Sequence, residues 1–527
     1  MTRVKLHWQE MAANPHNPDR AALAGPLDLN ASPSVLAIWG LAFLLLYGYE
    51  LFNFSLSIDE ELHTFGSDWS LSWLQQGRWG MAILSRSLPP ISALPVVSTA
   101  LFGAGLLFAV AHLATHYRLQ GLSAQLFGVV LIASPIWPHV VEFNSLSAGI
   151  GIGLALCAIG VRLLGDQRWL VIAFGLAALV FAGGIYQTLL LAAMVMALGR
   201  RFLKDTMSRG NWFALTARDL ALIVVAGILA FCIQYIAMRF ANAAVTYVDL
   251  YWRVSDYAAN PIVAGKVSWR VASRLLFGKS PIYLGYGFVL TALPLVAFGY
   301  SLFRGRVAQS TPPLTRIFYL ALAVPVSLLP VFVSVGTVPM RGIIAFPFII
   351  ALLVACFPVE TIIERWAARI YLLVATVLAA TISSQLFYSD HLARERDRLL
   401  AASLLERLQQ LRSADKPLRV TLFGEFQAAP REPVKRLEVF GTSFFEHEGG
   451  NIYRVTSYLK ILGAHYLEPV DLSQVPDIAA EASALPPWPS AGSIALVDGT
   501  AVIKLGPISY SQKTRLCSQS PDHILCR

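Results

Sequence analysis

Long apolar stretches broken by short polar loops fill the first three quarters of the chain. About eleven of them approach the ~20 residues that a bilayer requires, at 34–54, 91–111, 124–141, 145–164, 169–183, 185–199, 218–238, 284–303, 317–335, 342–358 and 369–388. Residues 1–33 are polar and lack a signal-peptide pattern, so the first span reads as a retained helix. After 388 the pattern changes. Residues 390–412 set Leu392, Leu399, Leu400, Leu404, Leu405, Leu408 and Leu411 at helical spacing between charges. Residues 419–423 alternate like a strand, and 451–462 read as a helix closed by Gly463. Residues 493–497 and 500–505 flank Asp498-Gly499, a hairpin signal. The pattern therefore predicts a polytopic α-helical membrane protein with about eleven transmembrane helices and a C-terminal α/β domain. Its divisions are a 1–33 N-terminal segment, a 34–388 transmembrane domain and a 389–527 tail.

Composition agrees. The 527 residues are 56% hydrophobic and 14% charged, against roughly 45–50% and about 25% in ordinary soluble domains. A mean hydropathy of +0.58 argues against a single soluble enzyme, and 11% aromatic residues with so few charges exclude a disordered chain. Residues 388–527 hold 16 basic and 16 acidic residues. Of the 41 basic and 32 acidic residues in the chain, 25 and 16 remain for the apolar part, which carries the whole excess of +9. A pI near 9.3 is then a matter of loop cations that orient the chain in the membrane, and no nucleic-acid partner is expected.

Counting alternate loops from a cytoplasmic N-terminus puts sixteen Lys and Arg inside. The short outside loops hold three, Arg78, Arg86 and Arg341, and the long loop 240–282 adds five, though long loops obey the rule weakly. An odd number of spans places 389–527 outside. Cys517 and Cys526 would meet an oxidising space there and are candidates for a disulfide. Cys157, Cys232 and Cys356 lie in apolar runs.

The candidate chemistry gathers at outside junctions. Ser57-Ile58-Asp59-Glu60-Glu61 puts three consecutive carboxylates just past a span. Ser57 with Glu60 fits a capping box, and a neighbouring acid could serve as a general base at the membrane surface. Gln75-Gln76-Gly77-Arg78-Trp79-Gly80 follows, with Trp69, Trp73 and Trp79 suited to headgroup depth. Arg78 either snorkels or clamps a phosphate. Glu142-Phe143-Asn144 and Gly183-Gly184-Ile185-Tyr186-Gln187 interrupt apolar runs at the same level, as tight turns or as a polar cavity wall of Glu142, Asn144, Tyr186 and Gln187 beside Glu61. Val338-Pro339-Met340-Arg341-Gly342 offers a second cation for a phosphate. The long loop carries Tyr247, Tyr251, Trp252, Tyr257, Trp269, Arg270 and Arg274, a mix suited to an interfacial helix or to sugar stacking. Gly149 and Gly153 form a GxxxG of the kind that packs helices. The chain has no P-loop, GxSxG elbow, HExxH or CxxC pairing, and neither a metal nor an organic cofactor is expected.

The order of these segments resembles the bacterial and phage O-antigen-modifying glucosyltransferases of the Gtr type II family, polytopic enzymes of the GT-C class. The carrying segments are the acid loop 57–61, Gln76-Gly77-Arg78-Trp79-Gly80, Gly184-Ile185-Tyr186-Gln187 and Pro339-Met340-Arg341. In the tail they are 440–445, Gly450-Asn451-Ile452-Tyr453-Arg454, 458–463, Pro487-Trp488-Pro489 and Gly492-Ser493-Ile494. The resemblance runs from about residue 35 to 505. It implies a polyprenyl phosphate-linked sugar donor, with glucose suggested by the family name. The implied acceptor is a cell-surface polysaccharide such as lipopolysaccharide O-antigen, on the periplasmic face of the bacterial inner membrane. The implied reaction is an inverting displacement in which Asp59, or else Glu60, takes the acceptor proton while Arg341 and Arg78 stabilise the leaving phosphate. The competing reading is a transporter or flippase for a lipid-linked sugar. Such a protein should place paired charges and broken helices mid-membrane, whereas here the acids cluster at the outer surface.

Overall fold

The computed structural model describes residues 32–53, 55–65, 69–87, 96–203, 212–244, 251–303, 312–412, 416–426 and 436–526. The 1–31 segment, Tyr247 and the side chain of Trp69 lie outside the described residues.

Helix α1 (Pro33–Phe52) is followed by three short helices, α2 (Glu60–Phe65), α3 (Trp69–Gln75) and α4 (Trp79–Ser87). Then come α5 (Val97–His116), α6 (Gly121–Ile132), α7 (Pro138–Val141), α8 (Asn144–Leu164), α9 (Trp169–Ile185), α10 (Leu189–Leu203) and α11 (Trp212–Phe240). Two surface helices, α12 (Val254–Ala259) and α13 (Pro261–Leu276), precede α14 (Leu293–Phe303), α15 (Pro313–Val333), α16 (Phe346–Ala355) and α17 (Ile362–Leu411). Among the described residues, six helices are long and apolar enough to cross a membrane: α1, α5, α8, α11, α15 and α17. The other apolar segments form helices of 10–17 residues.

The differences from the sequence reading have local causes. The 124–141 run is broken, because Pro135 and Pro138 lack the N–H that a continuing helix needs; α6 stops at Ile132 and Pro138 opens α7. The 342–358 run is shortened by a 3-10 turn at Met340–Gly342. The 388/389 boundary falls inside α17, which runs unbroken for 50 residues because it contains no Gly or Pro. At 1.5 Å per residue it is about 75 Å long, more than twice a bilayer's apolar thickness. A capping box of Thr361 and Glu364 starts it, and its charged second half enters the tail.

Packing in the helical part rests on close backbone approach. Helix α8 lies between α5 and α9, and Gly105 of α5 backs directly onto the main chain of Gly151, so the two helices meet without side chains between them. Helix α13 buries Ala264, Ser268, Ala272 and Leu275 and leaves Ile262, Val263 and Trp269 exposed, as an interfacial helix would.

The tail contains β1 (Leu418–Phe423), α18 (Ile452–Ile461), β2 (Leu467–Pro469), α19 (Pro476–Ala484), β3 (Ile494–Val497), β4 (Thr500–Lys504) and α20 (Tyr510–Gln519). Its sheet has the order β2-β1-β4-β3, with β1 parallel to both β2 and β4. β3 and β4 form the hairpin at Asp498-Gly499, with Val497 opposite Thr500. Both turn residues have positive φ, +47° and +72°, as a two-residue hairpin turn demands. Asn451 caps α18 through the Tyr453 N–H, and a disulfide joins Cys517 to Cys526. The tail is not a separate body. Ile58 of the first loop, 1% exposed, sits in the tail's core with Leu404, Phe444, Val455 and Tyr458.

Candidate active site

The turn between α1 and α2 sends successive side chains in different directions. Ile58 enters the tail core. Asp59 holds φ +86°, a conformation that a non-glycine residue adopts only when its surroundings impose it. Its side chain, 38% exposed, faces a cavity of about 190 Å³. Glu60 turns inward. One carboxylate oxygen accepts the Ser57 N–H at 3.1 Å and the other the Asn144 N–H at 2.7 Å, so it caps α2 and pins the start of α8. Burial pushes its carboxyl up to about 8, against the pull of those N–H groups. Glu61, fully buried, points at the tail.

There Arg454 of α18 receives both outer acids. Its guanidinium donates to Asp59 Oδ1 at 2.8 Å, to Glu61 Oε1 at 2.6 Å and to Glu448 at 2.9 Å. Burial lifts the Glu61 carboxyl to about 7 even though Arg454 pulls it down. At half-buried Glu448 burial works upward, but Arg454 prevails and holds the group at about 2. The bond from Arg454 goes to Asp59 Oδ1 and leaves Oδ2 outside it.

The same cavity is lined by Arg78, Arg341, Ser72, Trp73, Gln76 and Phe143. Arg78 is held by its own loop. Its guanidinium lies 4.6 Å from the Tyr186 ring centre and 5.5 Å from that of Trp73, and donates to Gln76 at 2.6 Å. Gln187 donates to the carbonyls of Gly77 at 2.6 Å and Gln76 at 3.3 Å, tying this loop to the α9–α10 junction. Below, Trp79 lies over Gly184, and a Cβ on Gly80 would stand 2.6 Å from Ile185 N. The two motifs thus pack main chain to main chain. Arg341 lies 4.1 Å from the Phe143 ring centre. Its 3-10 turn is fixed by tail residue Glu438, which accepts the Met340 N–H at 2.6 Å and contacts His139 Nδ1 at 3.2 Å. Burial works to raise the Glu438 carboxyl, but His139, the Met340 N–H and Arg341 hold it below the usual range.

The structure therefore brings Asp59, Arg78 and Arg341 to one cavity. Glu61, Glu142, Asn144, Tyr186 and Gln187, which the sequence expectation had in the wall, are not among the residues that line this cavity. Tyr186 and Gln187 position Arg78, and Asn144 anchors Glu60. Glu142 is 3% exposed; burial, then Asp390 and Glu50, push its carboxyl well up. Beside it lies a network absent from the sequence reading. Arg394 donates to Asp390 at 3.3 Å, to Asp397 at 2.8 Å and to the Thr442 carbonyl at 2.5 Å, and Ser55 donates to Asp390 at 3.1 Å. Asp397 in turn accepts from Ser443 and from the Phe444 N–H, so α17 holds the 440–445 segment against the first loop. The signal for these residues is acids and an arginine at i, i+4 and i+7 in a helix that had read as merely charged. Among the described residues, no group of three His, Cys, Asp or Glu side chains converges where a metal ion could sit.

Among the described residues, then, apolar helices of membrane-spanning length end at a cavity lined by one carboxylate, Asp59, and two guanidinium groups, Arg78 and Arg341. The glucosyl transferase GtrII family matches residues 48–357, more than half of the chain, and the chain belongs to that family. It is a glycosyltransferase of the membrane. The match includes Asp59, Arg78 and Arg341 and stops before α17 and the tail. No curated protein and no solved structure gives a match.

Proposed function

We propose that the protein moves a sugar, with glucose favoured by the family, from a polyprenyl phosphate carrier to a cell-surface polysaccharide such as lipopolysaccharide O-antigen. In this reading the helical part lies in the bacterial inner membrane in a GT-C-like arrangement of about eleven apolar segments, the shorter ones entering it without crossing its full thickness. The N-terminus is cytoplasmic, and the tail with its disulfide is periplasmic. The observation that carries the reading is the convergence of Asp59, Arg78 and Arg341 on one cavity with apolar walls at Leu62, Phe143 and Leu146.

The reaction is a single displacement. Asp59 Oδ2 takes the proton of an acceptor hydroxyl, while Oδ1 stays anchored on Arg454. The acceptor oxygen attacks the anomeric carbon, the bond to the phosphate oxygen breaks, and the configuration inverts. Arg341 and Arg78 take up the charge that develops on the departing polyprenyl phosphate. Asp59 is assigned the base role in preference to Glu60, because Glu60 faces away from the cavity and accepts main-chain N–H groups on both oxygens. Glu61 has its charge committed to Arg454.

The test is donor choice. Purified protein with a polysaccharide acceptor is given either polyprenyl phosphate-glucose or a nucleotide-glucose, and product and anomeric configuration are read by NMR. Transfer from the lipid donor alone, with inversion, is expected. Transfer from the nucleotide sugar, or retention, would overturn the proposal.

A further inference from the structure

Helix α13 is fastened across the end of a membrane-length helix, α15. Tyr257, in α12, donates to the Phe332 carbonyl at 3.0 Å and shares a hydrogen bond with Ser268 of α13 at 2.7 Å. The Arg253 N–H donates to the Val333 carbonyl at 3.1 Å. Just past α15, Gly336 has φ +79°, and a Cβ there would stand 2.9 Å from Val271 of α13, so the helix packs directly on that turn. Helix α15 has 21 residues and rises about 31 Å, close to the apolar thickness of a bilayer. What caps its end therefore sits at headgroup level. From that end the chain continues into the Met340–Gly342 turn that carries Arg341, yet no residue of α13 lines the Asp59 cavity.

The face of α13 turned away from the protein is cationic. Lys266, Arg270 and Arg274 are exposed at four-residue spacing and form one row along the helix, with exposed Lys279 just beyond its end. Ile262 heads the row, and Trp269, 62% exposed, lies beside it. One cation in the last turn would be ordinary, since it complements the helix dipole. Three at i, i+4 and i+8 repel one another and destabilise the helix. The surrounding sequence offers no relief, because it holds no Asp or Glu between Asp256 and Glu360. Asp256 itself is engaged by Arg253 at 2.7 Å. Among the described residues, none of the four cations enters an ion pair.

We propose that this face of α13 rests on the headgroups of anionic phospholipids and selects them over neutral ones. The lipid phosphates supply the counter-charge that the chain does not, while Trp269 and Ile262 enter the boundary beneath the headgroups. A zwitterionic surface would leave the repulsion along the row uncompensated. A neutral sugar stacked on Trp269 would use the indole and none of the cations. The inference rests on the position of α13 at the end of α15 and not on the transfer reaction proposed above.

Trp269 is a local probe for the test. The full-length protein is reconstituted into vesicles of dioleoyl phosphatidylglycerol and dioleoyl phosphatidylcholine in equal parts, with brominated chains on one lipid or the other. The quenching that disappears in Trp269→Phe is the share of Trp269. Brominated phosphatidylglycerol is expected to quench that share about threefold more strongly than brominated phosphatidylcholine. Changing Lys266, Arg270, Arg274 and Lys279 together to Gln should make the two lipids quench equally. Arg270→Gln alone, at the middle of the row and exposed, should already lower the ratio, so it decides the matter should the fourfold variant misfold. Equal quenching by both lipids in the wild type, or an unchanged ratio in Arg270→Gln, would overturn the proposal. Trp269 emission that ignores both lipids and responds to added polysaccharide would also overturn it, in favour of a sugar-stacking face.

Discussion

At Glu60 the fold keeps a carboxyl group away from water, and this has a measurable consequence. Burial raises its pKa from the usual 4.5 to about 8. Between those values the folded protein holds a proton that the unfolded chain releases. The stabilisation is therefore complete below about 4.5 and is lost as pH rises through about 8. Thermal unfolding in detergent should show stability falling across that window, with a flatter profile in Glu60→Gln; an equal slope in both would contradict the capping role. Arg341 makes a different prediction. Its guanidinium faces the cavity beside Asp59 from its place over Phe143, so Arg341→Ala should lower kcat/KM for the lipid donor by about 10²–10³-fold, with folding checked by melting temperature. Steady-state kinetics with varied donor checks it, and unchanged constants would remove the phosphate role.

Between elements, the tightest joint is the one between the Gln76–Gly80 loop and the α9–α10 junction. Trp79 covers Gly184, and Gly80 touches the main chain of Gly184 and Ile185. A methyl at either glycine meets main chain or an indole, so Gly184→Ala should destabilise by about 1–3 kcal/mol and disturb Arg78 through Tyr186. A melting temperature equal to wild type would show that the joint is looser than described. Both motifs were legible in the sequence, one as part of the first outside loop and the other as an interruption of an apolar run, but that they meet was not, because nothing local reveals a contact between residues 80 and 184. The hairpin at Asp498-Gly499 and the helix closed by Gly463 were legible because their signals are local turn chemistry. The continuity of α17 was missed for a physical reason. Its pattern changes from apolar to amphipathic near 389, which marks a change of surroundings, and only the absence of Gly and Pro shows that the helix itself goes on.

Across the whole molecule, the first loop and the tail form one unit although they are nearly 400 residues apart in sequence. Ile58 lies in the tail core, Arg454 binds Asp59 and Glu61, and Glu438 holds the turn that carries Arg341. The sequence showed Arg454 only as part of a family-like segment, since an ion pair spanning a separation of 395 residues leaves no periodic trace. Arg454→Ala would leave buried Glu61 without its counter-ion, a loss of about 3–5 kcal/mol in thermal or denaturant stability. Activity should fall with it, because Asp59 loses its anchor. A variant as stable and active as wild type would separate the tail from the site.

The central claim is that Asp59 is the base. Asn has nearly the shape of Asp and tolerates the left-handed backbone that residue 59 adopts, so Asp59→Asn removes the basic oxygen while leaving the turn in place. The direct measurement is sugar transfer by the purified wild type and Asp59→Asn proteins from polyprenyl phosphate-glucose to a lipopolysaccharide acceptor, with folding checked by melting temperature. The account predicts a loss of about 10²–10⁴-fold in the variant at unchanged stability. Full transfer by a folded Asp59→Asn protein would contradict it.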